Sequence, residues 1–440
     1  MPRFLVMLML AIVTALAPGG NAAAQSPADP AATATTLLDH LDAGRYAQAE
    51  AMFDAAMAKA VPADKLKGLW EALPAQVGPA KGRGEASTVE QGGMHVVRLA
   101  LQYEKAALVA SVAVHAQGRI TGFLIQPAAA AAPVAPVSQD AAFIERELMV
   151  GDGPSALPGT LAMPKGTGPF PAVVLVHGSG PHDRDETIGP NKPFLDIARG
   201  LAAQGIAVLR YEKRTRARPQ EFVGKLFTVD DETTDDAVRA VAALRAVDGV
   251  DGKRVFVLGH SQGGMMAPRI AARSGHVAGL VLLAAPARPL LDIVIEQNRR
   301  LAVLDDGKTS DAERDAINAL VQQARDARNP ATEAGAKGIM GLPVGYWRSI
   351  DAVDPVAEAR EVALPMLVLQ GARDIQVVDA DWQRWRGAFH ADKRVQFKLY
   401  DSLNHLAIAG TGEGSLAEYQ TPGHVDATLI ADVAAWIRAR

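Results

Sequence analysis

The sequence predicts an α/β protein with a doubly wound, mainly parallel sheet, preceded by a small α+β domain. From residue 141 onward, apolar runs of strand length alternate with helical segments, and such alternation requires crossover connections between parallel strands. Residues 35–125 instead place helices before a group of alternating strands. A length of 440 residues also exceeds what one ordinary core accommodates.

The composition is that of a globular protein and gives no reason to expect a nucleic-acid partner. Hydrophobic residues make up 49% of the chain and charged residues 21%, which separates it from disordered sequences. The formal net charge of -4 supplies no field that would attract a polyanion. The chain contains no cysteine, so disulfides, a thiolate nucleophile and cysteine-ligated metal sites are all excluded. Function must therefore come from a local site.

The first 24 residues have the organisation of a secretory signal peptide. Arg3 follows the amino terminus, Phe4 to Ala17 form an apolar run, and Ala22 to Ala24 offer small residues for cleavage. An uncleaved membrane anchor is the alternative, although the run is shorter than the ~20 apolar residues that span a bilayer. We therefore expect an exported protein, periplasmic or secreted, with no stable membrane insertion after cleavage.

The predicted small domain occupies residues 33–126. Apolar residues recur at helical spacing from Thr35 to Met57, with a turn at Gly44, and a further short helix covers Ala63 to Leu73. The period then changes to two, which is typical of strands in an antiparallel sheet. Four strands are predicted: 86–90, 94–103, 107–114 and 120–125.

Repeated proline and alanine mark the boundary between the two domains. Residues 127–140 are of low complexity and too rich in proline to pack a core, so a semi-rigid linker is expected there. The α/β domain then spans residues 141–440. Its predicted elements are, in order, an antiparallel strand pair (143–150 and 159–163), strand 172–176, helix 194–203, strand 206–211, helix 234–247, strand 255–258, a helix after Ser261, strands 280–284 and 366–370, helix 380–389, strand 395–399 and a last helix from Asp426.

A helical insertion interrupts the strand rhythm at about residues 287–353. Its clearest helices are predicted at Leu290–Leu304 and Ser310–Ala327. The insertion follows a strand of the sheet, so it is expected to form a lid over the carboxyl edge, where ligands bind to folds of this class. Its side chains would then decide what can enter the site.

A Gly-x-Ser-x-Gly turn lies at the centre of the α/β domain. The apolar strand Val255–Leu258 runs directly into this turn, and residues with helical character follow it. Gly259 and Gly263 are needed because a Cβ at either position would collide with the crossing strand and helix. The strained turn is expected to hold the hydroxyl of Ser261 out at the carboxyl end of the sheet, where a base can reach it.

Two residues after the last core strands can serve as partners of this serine. A serine hydroxyl needs a base, and the base needs an orienting group. Asp374 and His405 are the leading candidates, since each follows one of the last two strands and the order Ser, Asp, His matches a known catalytic arrangement. Asp379 or Asp381 could replace Asp374, although both lie further into the following helix. His424 could replace His405, but it lies where the last helix starts.

These motifs resemble the exported serine-esterase type of α/β-hydrolase. The resemblance rests on His-Gly-Ser-Gly-Pro-His-Asp-Arg-Asp at 177–185, Gly-His-Ser-Gln-Gly-Gly at 259–264, Gly-Ala-Arg-Asp at 371–374 and Asn-His at 404–405. It covers nearly all of the α/β domain, with the insertion as its weakest part. It implies Ser261 as nucleophile, His405 as general base and acid, and Asp374 as orienting carboxylate. The small domain resembles the amino-terminal domain often fused to such enzymes, which implies a cystatin-like or nuclear-transport-factor-like fold.

Two backbone N–H groups are expected to stabilise the oxyanion that forms during acyl transfer. One belongs to Gln262, directly after the serine, and its position at the start of a helix adds the positive end of the helix dipole. The other comes from Ser179 or Gly180, in the loop after the strand that ends at Val176. His177 is expected to be structural rather than catalytic.

Two charged segments have simple interpretations that involve neither a metal nor a nucleic acid. Residues 182–186 contain one histidine beside an internal arginine, which predicts a self-paired turn rather than a metal site. The basic cluster at 210–218 is expected to pair with the acidic cluster at 230–236 or to form a solvated loop. No metal and no cofactor are therefore expected.

The sequence thus predicts a serine hydrolase that cleaves a small-molecule carboxylic ester through an acyl-enzyme. Esters with small or aromatic acyl groups are the leading substrate class. A serine at the turn argues against haloalkane dehalogenase and epoxide hydrolase relatives, and the lack of cysteine argues against dienelactone hydrolase types. The alternatives are a serine peptidase or an acyltransferase on the same triad, or a ligand-binding protein without catalysis. No feature of the sequence assigns an oligomeric state.

Overall fold

The chain forms two compact units, Met1–Ala130 and Ala131–Arg440. The computed structural model describes residues 29–91, 94–115, 117–127, 137, 141–222, 224–304 and 307–440. The signal peptide expected at 1–24 and most of the linker expected at 127–140 lie outside the described residues.

The first unit combines helices with an antiparallel sheet, as predicted. Its helices are α1 (Pro30–Asp42), α2 (Tyr46–Ala51), α3 (Ala55–Ala60) and α4 (Ala63–Val77). The strands β1 (Ala80–Gln91), β2 (Met94–Tyr103), β3 (Ala107–His115) and β4 (Ile120–Pro127) pair in chain order. Gly44 has a φ of 67° in the predicted turn between α1 and α2, a conformation that favours glycine. One face of α1 packs into the core of this unit through Leu37, Leu38 and Leu41.

The second unit is built on an eight-stranded mixed sheet. Its strands are β5 (Phe143–Glu147), β6 (Gly159–Pro164), β7 (Phe170–Val176), β8 (Ala207–Tyr211), β9 (Val250–His260), β10 (Leu280–Leu283), β11 (Met366–Gly371) and β12 (Val395–Tyr400). Their order is β12-β11-β10-β9-β7-β8-β6-β5. The strands from β12 to β8 run parallel, whereas β6 and β5 add to that edge in antiparallel fashion. This confirms the predicted fold class.

Helices cover both faces of this sheet. They are α5 (Pro193–Ala202), α6 (Arg214–Ala217), α7 (Asp235–Arg245), α8 (Gln262–Ser274), α9 (Leu290–Leu304), α10 (Asp311–Arg328), α11 (Val344–Asp351), α12 (Pro355–Val362), α13 (Asp379–Phe389) and α14 (Ala427–Arg438). Alternate residues of β9 enter opposite cores: Val255 and Val257 pack with α7 and α8, whereas Phe256 and Leu258 pack with α5 and α14. None of the helices in the described parts of the chain has both the length and the apolar character that a bilayer crossing requires.

The helical insertion is longer than the sequence predicts. The two expected helices, α9 and α10, are followed by α11 and α12 before β11 begins. Asp354 caps α12 with its side chain, and Pro355 occupies the first helical position, so a start signal was present beyond the predicted end at residue 353. Tyr346, Trp347 and Ile350 of α11 pack into the same core as the sheet, which makes the insertion an integral part of this unit.

Candidate active site

Ser261 occupies a strained turn between β9 and α8. Its φ is 52° and its ψ is -121°, a backbone conformation that residues other than glycine rarely adopt. Two hydrogen bonds hold this conformation. The backbone N–H of Ser261 donates to the carbonyl of Leu283 at 2.9 Å, and its carbonyl accepts from the N–H of Met265 at 3.0 Å. The serine is therefore fixed at the carboxyl end of the parallel sheet, as the motif predicts.

The glycines on either side of the serine make this turn possible. A Cβ at Gly259 would overlap the backbone of Gly263, and a Cβ at Gly263 would overlap the carbonyl groups of Val176 and His177. Because these obstacles are backbone atoms, they cannot move aside as a flexible side chain would. The sequence argument that only glycine fits at these two positions is consistent with the packing.

Asp374 and His405 form a buried pair in the loops after β11 and β12. Nδ1 of His405 lies 2.8 Å from Oδ2 of Asp374, and the two residues are 3% and 6% exposed. The other carboxylate oxygen accepts the backbone N–H groups of Gln376 and Val377 at 2.8 and 3.0 Å. These bonds fix the carboxylate, so that the histidine donates from Nδ1 and keeps Nε2 as its basic nitrogen.

The alternative acids and the alternative histidine have other partners. Asp381 is fully buried, accepts the backbone N–H groups of Ala287 and Arg288, and forms an ion pair with the Arg288 side chain. It therefore fixes the start of the insertion. Asp379 accepts a hydrogen bond from a glutamine one turn along α13. His424 is exposed at the surface and contacts a carboxylate of α5.

His260 brings the serine turn and the His405 loop into contact. Nε2 of His260 lies 2.9 Å from the backbone carbonyl of His405, and the two imidazole rings lie 4.7 Å apart. The hydroxyl of Ser261 makes no hydrogen bond to His405 or to any other described residue. Catalytic hydrogen bonds are often long or misaligned until a substrate binds.

The imidazole of His260 carries a positive charge. Its Nδ1 lies 2.9 Å from a carboxylate oxygen of Glu186, and its Nε2 faces a carbonyl, so both nitrogens face acceptors and both must donate. Burial alone would lower the pKa of His260, but the Glu186 carboxylate outweighs it and raises that pKa. Burial alone would likewise raise the pKa of Glu186, but the charge of His260 lowers it to about 2. The two residues form a buried ion pair.

This ion pair also fixes the loop after β7. The second carboxylate oxygen of Glu186 accepts the backbone N–H of Gly178 at 2.6 Å. A Cβ at Gly178 would lie 3.3 Å from the Cβ of Ser261, so this loop approaches the serine closely. The N–H of Gly178 is thus occupied. By contrast, no described residue accepts a hydrogen bond from the backbone N–H of Ser179, Gly180 or Gln262, the three predicted oxyanion donors.

The interpretation of residues 182–186 as a self-paired turn is wrong for most of the segment. Asp183 does accept hydrogen bonds within the loop, from Thr187 among others. Arg184, however, pairs with acidic residues of other segments, Asp185 pairs with Arg210, and Glu186 pairs with His260. Across the parts of the chain that the structure describes, no group of three or more His, Asp or Glu side chains is placed to hold a metal ion.

Sequence reasoning missed four charged residues that surround the serine turn: Glu186, His260, Lys213 and Glu232. Lys213 and Glu232 form the ion pair expected between the basic and acidic clusters, yet they are buried rather than solvated. One signal was available for Lys213, because it follows the end of a central parallel strand, where functional side chains gather. Nothing in the sequence around Glu232 separates it from its acidic neighbours.

Comparison with known proteins identifies the family. Residues 173–418, more than half of the chain, match the model of the "Alpha/beta hydrolase family". The chain belongs to this family. Esterase EstD of Thermotoga maritima is 35% identical to this hydrolase over 406 residues, which cover 91% of this chain and 93% of EstD. Residues 34–123 of the hydrolase match a second model, "Protein of unknown function (DUF3887)", which coincides with the small α+β unit.

Solved structures of other hydrolases resemble this chain at low sequence identity. Est1E from Butyrivibrio proteoclasticus, with ferulic acid bound, has a TM-score of 0.45 and 16% identity, and covers 67% of this chain and 100% of its own. A puromycin-hydrolyzing peptidase of Mycobacterium tuberculosis has a TM-score of 0.44 and 19% identity, with coverages of 81% and 47%.

Proposed function

We propose that this hydrolase cleaves carboxylic esters by acyl transfer to Ser261. The observation that carries the proposal is the strained backbone of Ser261, at the sheet edge where the buried pair of His405 and Asp374 also lies. The identity with Esterase EstD, 35% over 91% of this chain, supports an ester as the bond that is cleaved.

In the first half of the proposed reaction, the ester carbonyl is attacked by the serine oxygen. Nε2 of His405 takes the proton from the Ser261 hydroxyl as the bond between Oγ and the carbonyl carbon forms. Asp374 stabilises the resulting imidazolium through its bond to Nδ1. The carbonyl oxygen becomes an oxyanion, which accepts hydrogen bonds from the backbone N–H groups of Gln262 and of Ser179 or Gly180. When the tetrahedral intermediate collapses, His405 returns the proton to the departing alcohol, leaving an acyl-enzyme.

In the second half, water releases the acid. His405 removes a proton from a water molecule, whose oxygen attacks the acyl carbon, and the same N–H groups stabilise the second oxyanion. Collapse breaks the bond to Oγ, and His405 gives its proton back to Ser261. The products are the carboxylic acid and the alcohol, and the enzyme returns to its starting protonation state.

We further propose that the acyl group is small or aromatic. Aromatic side chains form a series of edge-on and tilted ring contacts that is linked to the serine turn through Glu232 and Gln262. The rings of Phe222 and Phe227 lie 4.8 Å apart, those of Phe227 and Tyr346 lie 5.1 Å apart, and Tyr346 contacts Glu232, which also binds the side chain of Gln262. We infer that these rings line the acyl site, where they would favour flat, rigid groups over long flexible chains, because edge contacts between rings add to the burial of apolar area.

The test is turnover of p-nitrophenyl acetate and butyrate by the purified protein and by three variants. Ser261→Ala should abolish the acyl-enzyme route and leave background hydrolysis. Asp374→Asn should lower kcat about 10³- to 10⁴-fold, because the amide would favour the wrong tautomer of His405. Asp381→Asn is the matched control, since it is an equally buried carboxylate that fixes the insertion, and its kcat should stay within about threefold of wild type.

Four results would contradict this proposal. Equal turnover by wild type and Ser261→Ala would reject the nucleophile and favour a binding protein whose hydrolase unit is inactive. A larger loss of kcat for Asp381→Asn than for Asp374→Asn would reassign the acid. Cleavage of peptide amides without cleavage of esters would favour the peptidase alternative, and transfer of the acyl group to an added alcohol in preference to water would favour an acyltransferase.

We also propose that the protein is exported. The charged start, apolar run and small-residue site of residues 1–24 support a cleaved signal peptide. Fractionation of expressing cells with amino-terminal sequencing of the mature chain is the test. A mature chain that begins near Gln25 outside the cytoplasm is the expected result, and an intact amino terminus retained in the membrane would favour the uncleaved anchor.

A further inference from the structure

A buried carboxylate connects three segments around the serine turn. Oε1 of Glu232 lies 2.9 Å from the ammonium of Lys213, and Oε2 accepts hydrogen bonds from the amide of Gln262 at 3.0 Å and from the hydroxyl of Tyr346 at 2.7 Å. Each of these four residues is at most 5% exposed. They come from the end of β8, the turn before α7, the start of α8 and the insertion. Glu232 is therefore a junction rather than a surface charge.

Lys213 extends this junction to the loop that carries the second oxyanion donor. Its ammonium donates to the backbone carbonyl of Gly178 at 2.8 Å. The carbonyl of Gly178 and the N–H of Ser179 belong to one planar trans peptide, so they point in opposite directions. By holding the carbonyl, Lys213 sets the direction of the Ser179 N–H. Glu186 fixes the same loop one peptide earlier, by accepting the N–H of Gly178.

Glu232 also fixes the residue that carries the first donor. The side chain of Gln262 donates to Glu232 and, at 3.3 Å, to the hydroxyl of Thr233. These bonds hold Gln262 at the first position of α8, where its backbone N–H has no intrahelical acceptor. One carboxylate therefore holds Gln262 directly and the peptide between Gly178 and Ser179 through Lys213.

We propose that Lys213 and Glu232 are positioning residues that align the N–H groups of Ser179 and Gln262 toward the oxyanion, and that Tyr346 couples the insertion to this alignment. The proposal rests on the proposed function and selects Ser179 over Gly180 as the second donor. Donors that are already oriented need no reorganisation when charge develops in the transition state, which is the main source of their catalytic effect. Because a buried ion pair adds little net stability, stability alone does not explain why Lys213 and Glu232 are paired here. Positioning of the oxyanion donors does explain it.

The principal test is the double variant Lys213→Met/Glu232→Gln. It removes both charges together, so it leaves no unpaired buried charge and preserves the volume of the two side chains. Methionine cannot donate to the carbonyl of Gly178, so the Ser179 peptide loses its anchor. We expect kcat for p-nitrophenyl butyrate to fall at least about 30-fold, toward the effect of losing one oxyanion donor, with KM changed less than about threefold.

A control comes from a neighbouring, partly buried ion pair. Lys192 lies 3.2 Å from Asp185, and among the described residues no hydrogen bond or ion pair joins either residue to Gly178, Gln262 or Ser261. The variant Lys192→Met/Asp185→Asn also removes both charges of a pair, and Arg210, the other partner of Asp185, keeps its ion pair with Glu145. The kcat of this variant should stay within about threefold of wild type. Thermal unfolding followed by circular dichroism will show whether each double variant is folded.

A second measurement separates positioning from a general loss of structure. A trifluoromethyl ketone analogue of the substrate adds to the serine and forms a tetrahedral oxyanion, whereas butyrate binds without one. If Lys213 and Glu232 act on the oxyanion donors, the Ki of the ketone should rise by the factor by which kcat/KM falls, while the Kd of butyrate stays unchanged. Equal weakening of both ligands would mean that the whole site is disordered, and it would overturn the proposal.

The single variant Tyr346→Phe keeps the test decisive if the double variant does not fold. It removes one hydrogen bond to Glu232 and should lower kcat about threefold to tenfold, with a matching rise in the Ki of the ketone. A wild-type kcat in the folded double variant would overturn the proposal, provided that Ser261→Ala is inactive. If only Tyr346→Phe folds, a wild-type kcat in that variant would overturn the proposal under the same condition. Activity in Ser261→Ala would instead reject the proposed function itself.

Discussion

At the scale of single residues, burial and charge give three neighbouring histidines different roles. His177 is buried and its pKa falls to about 3 because burial disfavours the charged ring, so it stays neutral and donates from Nε2 to the carbonyl of Asp183. His260 is held in the charged form by Glu186, and both of its nitrogens are committed. His405 is fixed through Nδ1 alone. Nε2 of His405 makes no hydrogen bond to a described residue, and unlike the ring of His177 the ring of His405 is oriented by a carboxylate.

The neutral state of His177 predicts a pH dependence of stability. As pH falls below 6.5, the usual pKa of histidine, the unfolded chain binds a proton at this residue, whereas the folded chain does not until pH approaches about 3. Protonation therefore favours the unfolded state in this range, and the effect is absent above pH 7. Between pH 7 and pH 5, wild type should lose about 2 kcal/mol more of its free energy of unfolding than His177→Gln.

Urea unfolding at pH 5, 7 and 9, followed by circular dichroism, measures this difference. The comparison between pH 7 and pH 9 is the internal control, since His177 is unprotonated in both states there and the two chains should change alike. Parallel losses of stability by wild type and His177→Gln between pH 7 and pH 5 would show that the ring takes up its proton in the folded state.

At the scale of elements, the packing of β9, the turn and α8 decides whether Ser261 can adopt its strained conformation at the sheet edge. Gly263→Ala should strongly destabilise the hydrolase unit, by about 3 kcal/mol or more, because the new Cβ meets the carbonyl groups of β7 and cannot be relieved by a rotamer change. Gly275→Ala, at the other end of α8, is the control. It has a φ of 66° but open space around it, so only the backbone penalty of about 1 kcal/mol applies.

Thermal unfolding and soluble yield of the two glycine variants provide the measurement. The expected order of melting temperature is wild type, then Gly275→Ala, then Gly263→Ala, and the last variant should also lose activity. A Gly263→Ala protein as stable as Gly275→Ala would show that the turn can widen without breaking. The close approach of α8 to β7 would then be a preference rather than a requirement.

Elements with strong local signals were predictable, and elements that depend on distant contacts were not. Continuous apolar runs identified the central strands, since strands buried on both faces must be apolar throughout. By contrast, β9 begins at Val250, earlier than predicted, because that residue pairs with Phe170 of β7. The helix predicted at 234–247 begins with a π-helical turn at Asp230–Thr234, which places Glu232 in the core.

The same division applies to the candidate site. Ser261, Asp374 and His405 each follow a strand end, and parallel strands bring their carboxyl ends to one edge, so residue type and position made them candidates in the sequence. Glu186 and His260 are separated by 74 residues, and their pairing exists only in the folded chain. Charge runs look alike in sequence whether they are buried or solvated, which is why the roles of Lys213 and Glu232 required the structure.

At the scale of the whole molecule, each of the two units has hydrophobic packing of its own. The core of the first unit draws on residues between Ala31 and Ile125, and the cores of the second unit draw on residues between Val137 and Ile437. Each unit is also long enough to bury a core of its own.

A chain that begins at Val137 should therefore fold without the first unit. Val137 is retained because it packs against the cluster of Phe143, Ala162 and Ala202. The melting temperature of residues 137–440 should lie within about 5 °C of the corresponding transition in the longer chain, because every apolar contact of its cores is kept. Calorimetry of both proteins measures folding. Esterase assays of both proteins, with Ser261→Ala versions as references, measure turnover. An insoluble fragment, or a transition lowered by more than about 10 °C, would mean that the first unit supplies stability that the separate cores do not reveal.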